Sequence, residues 1–407
     1  MLLFACFTLA PSTAKAAQSK QKASAAAKNR QPAQSGLQAE ARLIQIYQLI
    51  GQSKTREALK LADALVADHP NFALAQLVHG DLLVAQTQPL KSLGDVPEAT
   101  VRAAPGVLTD LREESLLRIK ALRDKPAPGL QPANFVRLSP RNKHAIAVDA
   151  SKARIYLFEN TPQGLKLVAD YYASVGKMGV EKNIEGDLKT PLGIYYVTNT
   201  LDPNSLKDLY GAGALPINYP NPYDLRRGKT GSGIWLHGVP QAQFARAPKA
   251  TDGCVAVSNP DLQDIVKRVE IRTTPVVILP KLEWVNPAQS NADVAAFDRS
   301  FAAWRGAKAA GDLVTALTFY TADFDSYGKK LADWRGVLAA ELAKKRSSTL
   351  KDTAVLHWSE NTSSATMVTT FSEVPAGAVT GLIKRQYWLR SPATQNQWKI
   401  FFEGVIG

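Results

Sequence analysis

The chain holds 407 residues, enough for two to four domains at roughly 100–200 residues each, and its 45% hydrophobic and 21% charged content is that of soluble globular cores. The formal charge of +13, from 49 Lys and Arg against 36 Asp and Glu, favours polyanionic partners or a plain solvated surface. No long basic cluster or nucleic-acid motif accompanies it, so no nucleic-acid partner is expected, and two cysteines, Cys6 and Cys254, exclude a disulfide framework.

Met1–Ala10 is mostly apolar and "AKA" at Ala14–Ala16 is a small-x-small cleavage pattern. Residues 1–17 therefore read as a signal peptide lacking its positive n-region, too short for a bilayer span of about 20 residues. This points to export. Residues 18–37, rich in Ala, Ser, Gln and Lys, read as a disordered tether. Residues 38–123 read as helical: Leu59, Ala62, Leu65 and Val66 share a face, Pro70 and Asn71 mark a turn, and Gly106–Arg123 forms a further helix. Ala58, Pro70 and Gly80 fall near the small-residue and proline positions of a tetratricopeptide-like (TPR-like) helix pair; a plain helical hairpin fits equally. "DKPAPGLQPAN" sets a Pro/Gly-rich linker at 124–137.

From 138 to 281 the pattern changes to short strands with Gly/Pro punctuation: "HAIAVD", "ARIYLFEN", "LKLVADYYASVG", "GIYYVTN", "GIWLHGV", "DGCVAVS" and "TTPVVIL". One helix is expected at Asn259–Val269, with Pro260 in its first turn. The reading is a mainly-β sandwich or barrel-like domain. A second linker spans 282–293. Residues 294–407 then give three helix candidates (Val294–Gly311, Asp312–Tyr320, Lys330–Lys345) and four strands, an α+β pattern similar to the NTF2-like cone fold.

With the leader removed, Cys254 is the only cysteine, which leaves it to pair between molecules, to react, or to be an inert buried residue. His237 lies 17 residues before it, at the end of "GIWLH". A thiolate is the nucleophile, and an ordinary thiol with a pKa near ~8.5 needs a neighbouring imidazole to take its proton or to pair with the thiolate. Of five histidines, His69 and His79 sit in the helical region, and His144 and His357 in strand candidates without a motif. Only His237 combines an adjacent glycine, Gly238, with a cysteine at close spacing. Two neighbouring strand ends can bring the pair together.

These residues carry a family resemblance. "HG" followed by "TDGCV" resembles the signature of YkuD-type L,D-transpeptidases, and Thr190, Pro191 and Gly193 in "TPLGIYYVTN" match that family's upstream strand; the likeness spans about 142–280. It implies a bacterial envelope enzyme, periplasmic, acting on peptidoglycan stem peptides without cofactor or metal. Carried over residue by residue, Cys254 is the nucleophile, His237 the general base, and the Gly238 carbonyl orients the imidazole. The Gly253 and Cys254 amides become the oxyanion donors, Gly253 letting the backbone approach the substrate carbonyl. Thr251, Asp252 and Trp235 surround the substrate, Asp252 chiefly as a turn-former and Trp235 as a site wall or a core residue. Two positions depart from the family pattern: Asp252 stands where many members have His, and Ala256 where many have Arg. Both leave the nucleophile–base pair intact and open the question of substrate and acceptor.

The helical, YkuD-type and NTF2-like succession resembles the cell-shape L,D-carboxypeptidase subgroup. The expected reaction is acyl transfer: Cys254 attacks the carbonyl of the third stem residue, D-Ala leaves, and an amine resolves the thioester. Water as acceptor, trimming tetrapeptides to tripeptides, is the alternative. A non-catalytic wall-binding scaffold is a third class, against which the His237/Cys254 pair argues. The C-terminal cone either takes a ligand or protein partner or is structural.

Overall fold

The computed structural model describes residues 36–95, 102, 105–289, 291–343, 348–361 and 363–406. The expected leader, Cys6 and nearly all of the expected tether lie outside the described residues.

Helices α1 (Gly36–Gly51), α2 (Thr55–Asp68), α3 (Ala73–Val84) and α4 (Val107–Arg123) form the N-terminal unit. Ala39, Leu43 and Ile46 on α1 and Ala58, Ala62 and Leu65 on α2 recur at helical spacing and meet Leu74, Val78 and Leu82 of α3 in one core. Charged groups dock this unit on the rest of the chain. Glu40 on α1 pairs with Arg118 on α4 at 3.0 Å and with Arg154 of the central sheet at 2.7 Å. Arg118 also pairs with Glu114 at 2.8 Å and lies over the Tyr172 ring, 4.0 Å from its centroid. Burying such charges costs desolvation and holds only because every one has a partner.

The central sheet has nine strands: β1 (His144–Asp149), β2 (Arg154–Thr161), β3 (Gly164–Gly176), β4 (Gly193–Tyr196), β5 (Ala214–Pro216), β6 (Trp235–His237), β7 (Lys249–Thr251), β8 (Val255–Val257) and β9 (Pro275–Leu279). They run in the order β4-β9-β1-β2-β3-β8-β6-β5, with β7 beside β3. The two ends meet where Val197, just past β4, bridges Ile217, just past β5. Of the expected sandwich or barrel, the chain builds one sheet curled towards closure. Alternate residues such as Ile146, Ile155, Leu236, Val255 and Val257 fill its inside. Helix α5 (Pro222–Arg226) is an unanticipated single turn whose start is fixed by Asn221, which accepts from the Tyr223 and Asp224 amides. Helix α6 (Asn259–Val266) starts as expected, with Ser258 as cap and Pro260 in the first turn, and ends three residues early.

The C-terminal unit places α7 (Ala292–Ala309), α8 (Leu313–Thr318) and α9 (Leu331–Ala343) before the meander β10 (Ser348–Asn361), β11 (Ser364–Pro375), β12 (Leu382–Arg390) and β13 (Lys399–Val405). This is the helices-then-meander order expected of an NTF2-like cone. Phe297, Phe301 and Trp304, spaced four and three apart on α7, pack on Phe371, Trp388 and Trp398. The opposite sheet face sets Leu356, Trp358 and Tyr387 against Tyr156, Phe158 and Tyr196 of the central domain.

Both segments expected as linkers contain strand. Phe135–Arg137 extends the C-terminal sheet, with Phe135 opposite Leu356 and Arg137 opposite Val355. Gln131–Pro132 pairs with Trp284–Val285. Their Pro/Gly content reads as loop, but a few apolar anchors decide: Phe135 and Leu282 are buried in the shared core, and the Trp284 ring lies 5.0 Å from that of Tyr156.

Candidate active site

Strands β6 and β8 run parallel, with Ala256 opposite His237 and Val255 opposite Leu236. Leu236, Val255 and Val257 point into the curled core, so alternation puts Trp235, His237, Cys254 and Ala256 on the other face. His237 ends β6 and Cys254 immediately precedes β8, two positions apart on adjacent strands, which sets their Cα atoms on the order of 8 Å apart. The structure thus brings the two singled-out side chains to one face.

The imidazole of His237 is buried, and its Nδ1 lies 2.6 Å from the Gly238 carbonyl oxygen. A carbonyl can only accept, so Nδ1 carries the hydrogen and Nε2 is left as the basic nitrogen. The next segment is pinned by Asn259, whose Oδ1 accepts from the Ala212 and Val239 amides at 2.8 and 3.1 Å while Nδ2 donates to the Val239 carbonyl at 2.8 Å. Sequence reading took Asn259 only as the start of a helix; its position beside Ser258 and Pro260 carries no sign of this second task.

The turn before the cysteine is tied from inside. Thr251 Oγ1 donates to the Cys254 carbonyl at 2.7 Å, and the Gly253 amide donates to Thr251 Oγ1 at 3.2 Å. Thr190, fully buried, accepts from the Gly176 amide at 2.9 Å and reaches the Cys254 carbonyl at 3.4 Å. Thr190 therefore links the end of β3 to the cysteine turn, a physical reason for the "TP" pair noticed in the sequence. Gly253 has φ +125, and a Cβ there would stand 2.8 Å from the Lys189 carbonyl. The close approach seen in the structure is to that backbone, and the Gly253 amide donates to Thr251 Oγ1. The Cys254 thiol, half-buried, lies 3.5 Å from the Gly233 carbonyl.

A cleft of about 520 Å³ opens over Cys254 and His237. Tyr210 stands beside the catalytic-type pair, its ring 5.2 Å from that of His237 and 4.8 Å from that of Trp235. Asp252 is an exposed rim residue paired with Lys177 at 2.8 Å. Asn71 and Ala73 of the helical unit and Arg246 complete the wall. None of Tyr210, Asn71, Lys177 or Arg246 was read from sequence as a site residue, because nothing in their local pattern places them near residue 254.

Residues 143–278 match the family model described as the L,D-transpeptidase catalytic domain, YkuD. The central domain belongs to this family. Solved structures also resemble the chain. Bd1075 of Bdellovibrio bacteriovorus is 26% identical, aligns over 68% of this chain and 98% of its own, and has a TM-score of 0.54. The helical cell shape determining protein Pgp2 of Campylobacter jejuni is 21% identical over 71% of this chain and 98% of its own, with a TM-score of 0.51. No curated protein matches the chain.

Within the L,D-transpeptidase domain, burial pushes the His237 imidazole down to about 4; the Gly238 hydrogen bond opposes this and the Arg246 charge adds to it. Burial also pushes the Cys254 thiol up, against an opposing hydrogen bond with the Trp235 backbone. Both groups are therefore neutral at neutral pH, a thiol beside a neutral imidazole. This arrangement suits proton transfer at the moment of attack better than a preformed ion pair. The other histidines lie elsewhere: His79 pairs with Asp63 at 2.7 Å, while His144 stands 3.6 Å from Glu270 and His357 3.9 Å from Asp293.

Proposed function

We propose that the protein is a peptidoglycan-modifying cysteine acyltransferase of the cell envelope that acts on stem peptides. The observation that carries this reading is the Nδ1–Gly238 hydrogen bond, which aims a neutral Nε2 from the same face and cleft as the half-buried Cys254 thiol. Cys254 is the nucleophile and His237 the base. Nε2 takes the thiol proton as sulfur attacks the carbonyl of the third stem residue. The C–N bond of the tetrahedral adduct then breaks, Nε2 returns its proton to the departing D-Ala amine, and a thioester remains. An acceptor amine or a water gives a proton to Nε2, attacks the thioester, and releases the thiolate, which regains that proton.

An amine acceptor makes the reaction a transpeptidation. Water as acceptor is the second reading; the likeness to a helical cell shape determining protein, over 71% of this chain and 98% of that one, agrees with the resemblance to the cell-shape carboxypeptidase subgroup. Envelope action agrees with the leader expected at 1–17. Purified protein incubated with tetrapeptide muropeptides distinguishes the two by mass spectrometry. Dimers joined between third residues identify the transpeptidase, and tripeptide monomers alone identify the carboxypeptidase. Absence of products and of an acyl adduct on Cys254 would overturn both, and activity surviving in Cys254→Ala would overturn the nucleophile.

A further inference from the structure

We propose that Arg246 is the specificity residue that binds the free carboxylate of the D-residue leaving the stem peptide, an inference that rests on the acyl-transfer reading above. Two cations line the cleft over Cys254 and His237, Lys177 and Arg246. Lys177 is engaged by Asp252 at 2.8 Å. Arg246 is half-buried, and among the described residues no carboxylate pairs with it; its Nη1 makes one long hydrogen bond, 3.3 Å, to the Ala250 carbonyl. A guanidinium has five N–H donors in a fork that matches a carboxylate. Most of that capacity is unspent at the wall of a cleft whose floor holds the nucleophile.

Ala256 strengthens the argument. It faces the same side as His237, directly opposite it on the neighbouring strand, and its methyl group can bind no anion. Any anion recognition beside the pair must then come from another segment, and the 238–248 loop supplies it. The carboxylate of a leaving terminal residue is only two bonds from the nitrogen that departs, so a cation that reads it must stand close to the Cys254–His237 pair. The Arg246 charge is felt at both of these groups.

The loop is held on two sides. Tyr172 Oη, on β3, donates to the Arg246 carbonyl at 2.9 Å. Two residues earlier, Phe244 is buried in the core of the helical unit, stacked on Phe72 with 4.2 Å between centroids and edge-on to His69 at 5.1 Å. The Phe244 amide donates to the Asn71 carbonyl at 3.0 Å, and Asn71 Nδ2 donates to the Gln241 carbonyl at 3.1 Å. The N-terminal helices thus position Arg246: they are part of the enzyme's specificity apparatus, joined to it through one aromatic anchor.

The test compares tetrapeptides ending in a free carboxylate with the same peptides ending in a carboxamide, for wild type, Arg246→Ala and Arg246→Lys. Loss of a charge-assisted, forked contact should lower kcat/KM for the free acid about 10- to 100-fold in Arg246→Ala, leave the carboxamide within about threefold, and be partly restored by lysine. Equal losses on both peptides, or none on either, overturn the proposal. A third peptide, amidated only at the carboxylate of its second residue, should behave as the free acid does; if its turnover instead becomes insensitive to Arg246→Ala, Arg246 reads that carboxylate and the assignment to the leaving residue is wrong. Peptide binding to Cys254→Ala by calorimetry needs no turnover. Adding Arg246→Ala there should weaken binding of the free acid about tenfold and spare the carboxamide, and unchanged binding overturns the proposal even where wild type forms no acyl adduct.

Discussion

Gly238→Ala adds one methyl group at the residue whose carbonyl holds His237. A Cβ there would stand 2.9 Å from the Ala212 nitrogen, 3.0 Å from the Tyr210 carbonyl oxygen, and closer still to Asn259 Oδ1. Two of these obstacles are backbone, and the third is fixed by its hydrogen bonds to Ala212 and Val239. None can step aside, so the Gly238 segment must shift. Overpacking of this kind costs about 1–3 kcal/mol of stability. The larger effect is on orientation: displacing the carbonyl loosens the 2.6 Å contact that sets the tautomer and aims Nε2, and a misplacement on the order of 1 Å at a reacting group costs about 100-fold in rate. D-Ala release followed by chromatography should show kcat reduced about 100-fold with KM within about threefold, since the cleft walls are untouched. Urea unfolding should fall by about 1–3 kcal/mol. Adding Asn259→Ala relieves one clash of three, so the double variant should stay far below wild type. Wild-type kcat in Gly238→Ala would refute orientation of His237 through Gly238.

With His237 held down to about 4 by burial, the acid limb of kcat/KM should fall near pH 4; a limb near 6.5 would show an imidazole in an ordinary environment. Burial pushes the Asp261 carboxyl up to about 7 from 3.8. Between those values the folded protein keeps a proton that the unfolded chain releases, so this group's contribution is full below about pH 4 and is lost as pH rises towards 7, by up to about 1.4 kcal/mol per pH unit. Asp261→Asn should flatten that decline in urea titrations at pH 4.5 and 7.5, and an unchanged slope would count against the shift. Glu40→Gln removes a shared partner of Arg118 and Arg154, each of which keeps one carboxylate, Glu114 and Asp170. It should cost roughly 3 kcal/mol, the low end for breaking a buried pair, read as a fall in unfolding free energy; no loss would mean that the network adds nothing to docking.

The sequence carried the features that depend on local pattern. Helical spacing showed Leu59, Ala62, Leu65 and Val66 as one face, of which Ala62 and Leu65 are buried and Leu59 and Val66 half-buried; Pro260 marked the start of α6, and the α7–α9 and β10–β13 succession followed from periodicity and turn residues. The Cys254–His237 pairing was legible because both residues are rare and stand next to glycine. What was not legible depends on contacts between distant segments. Phe135 and Trp284 look like apolar residues in loops until their partners are known. Arg246 is an ordinary arginine in a loop, and only the fold puts it over Cys254. The Lys189 carbonyl beside Gly253 was hidden for the same reason, since sequence proximity could not indicate it.

The strand Phe135–Arg137 precedes the catalytic domain in the chain yet completes the edge of a sheet whose other strands begin at Ser348. During synthesis this edge must wait, unpaired, for more than 200 residues to emerge, and the aromatic face of the central domain waits with it. The L,D-transpeptidase domain therefore cannot reach its finished surface until the last strands are made, and a chain stopped short of them would present Phe135, Tyr156 and Phe158 to solvent, the kind of open edge and apolar patch on which chains associate. The C-terminal unit thereby gates when the surface of the catalytic domain is complete, and the two units finish folding together.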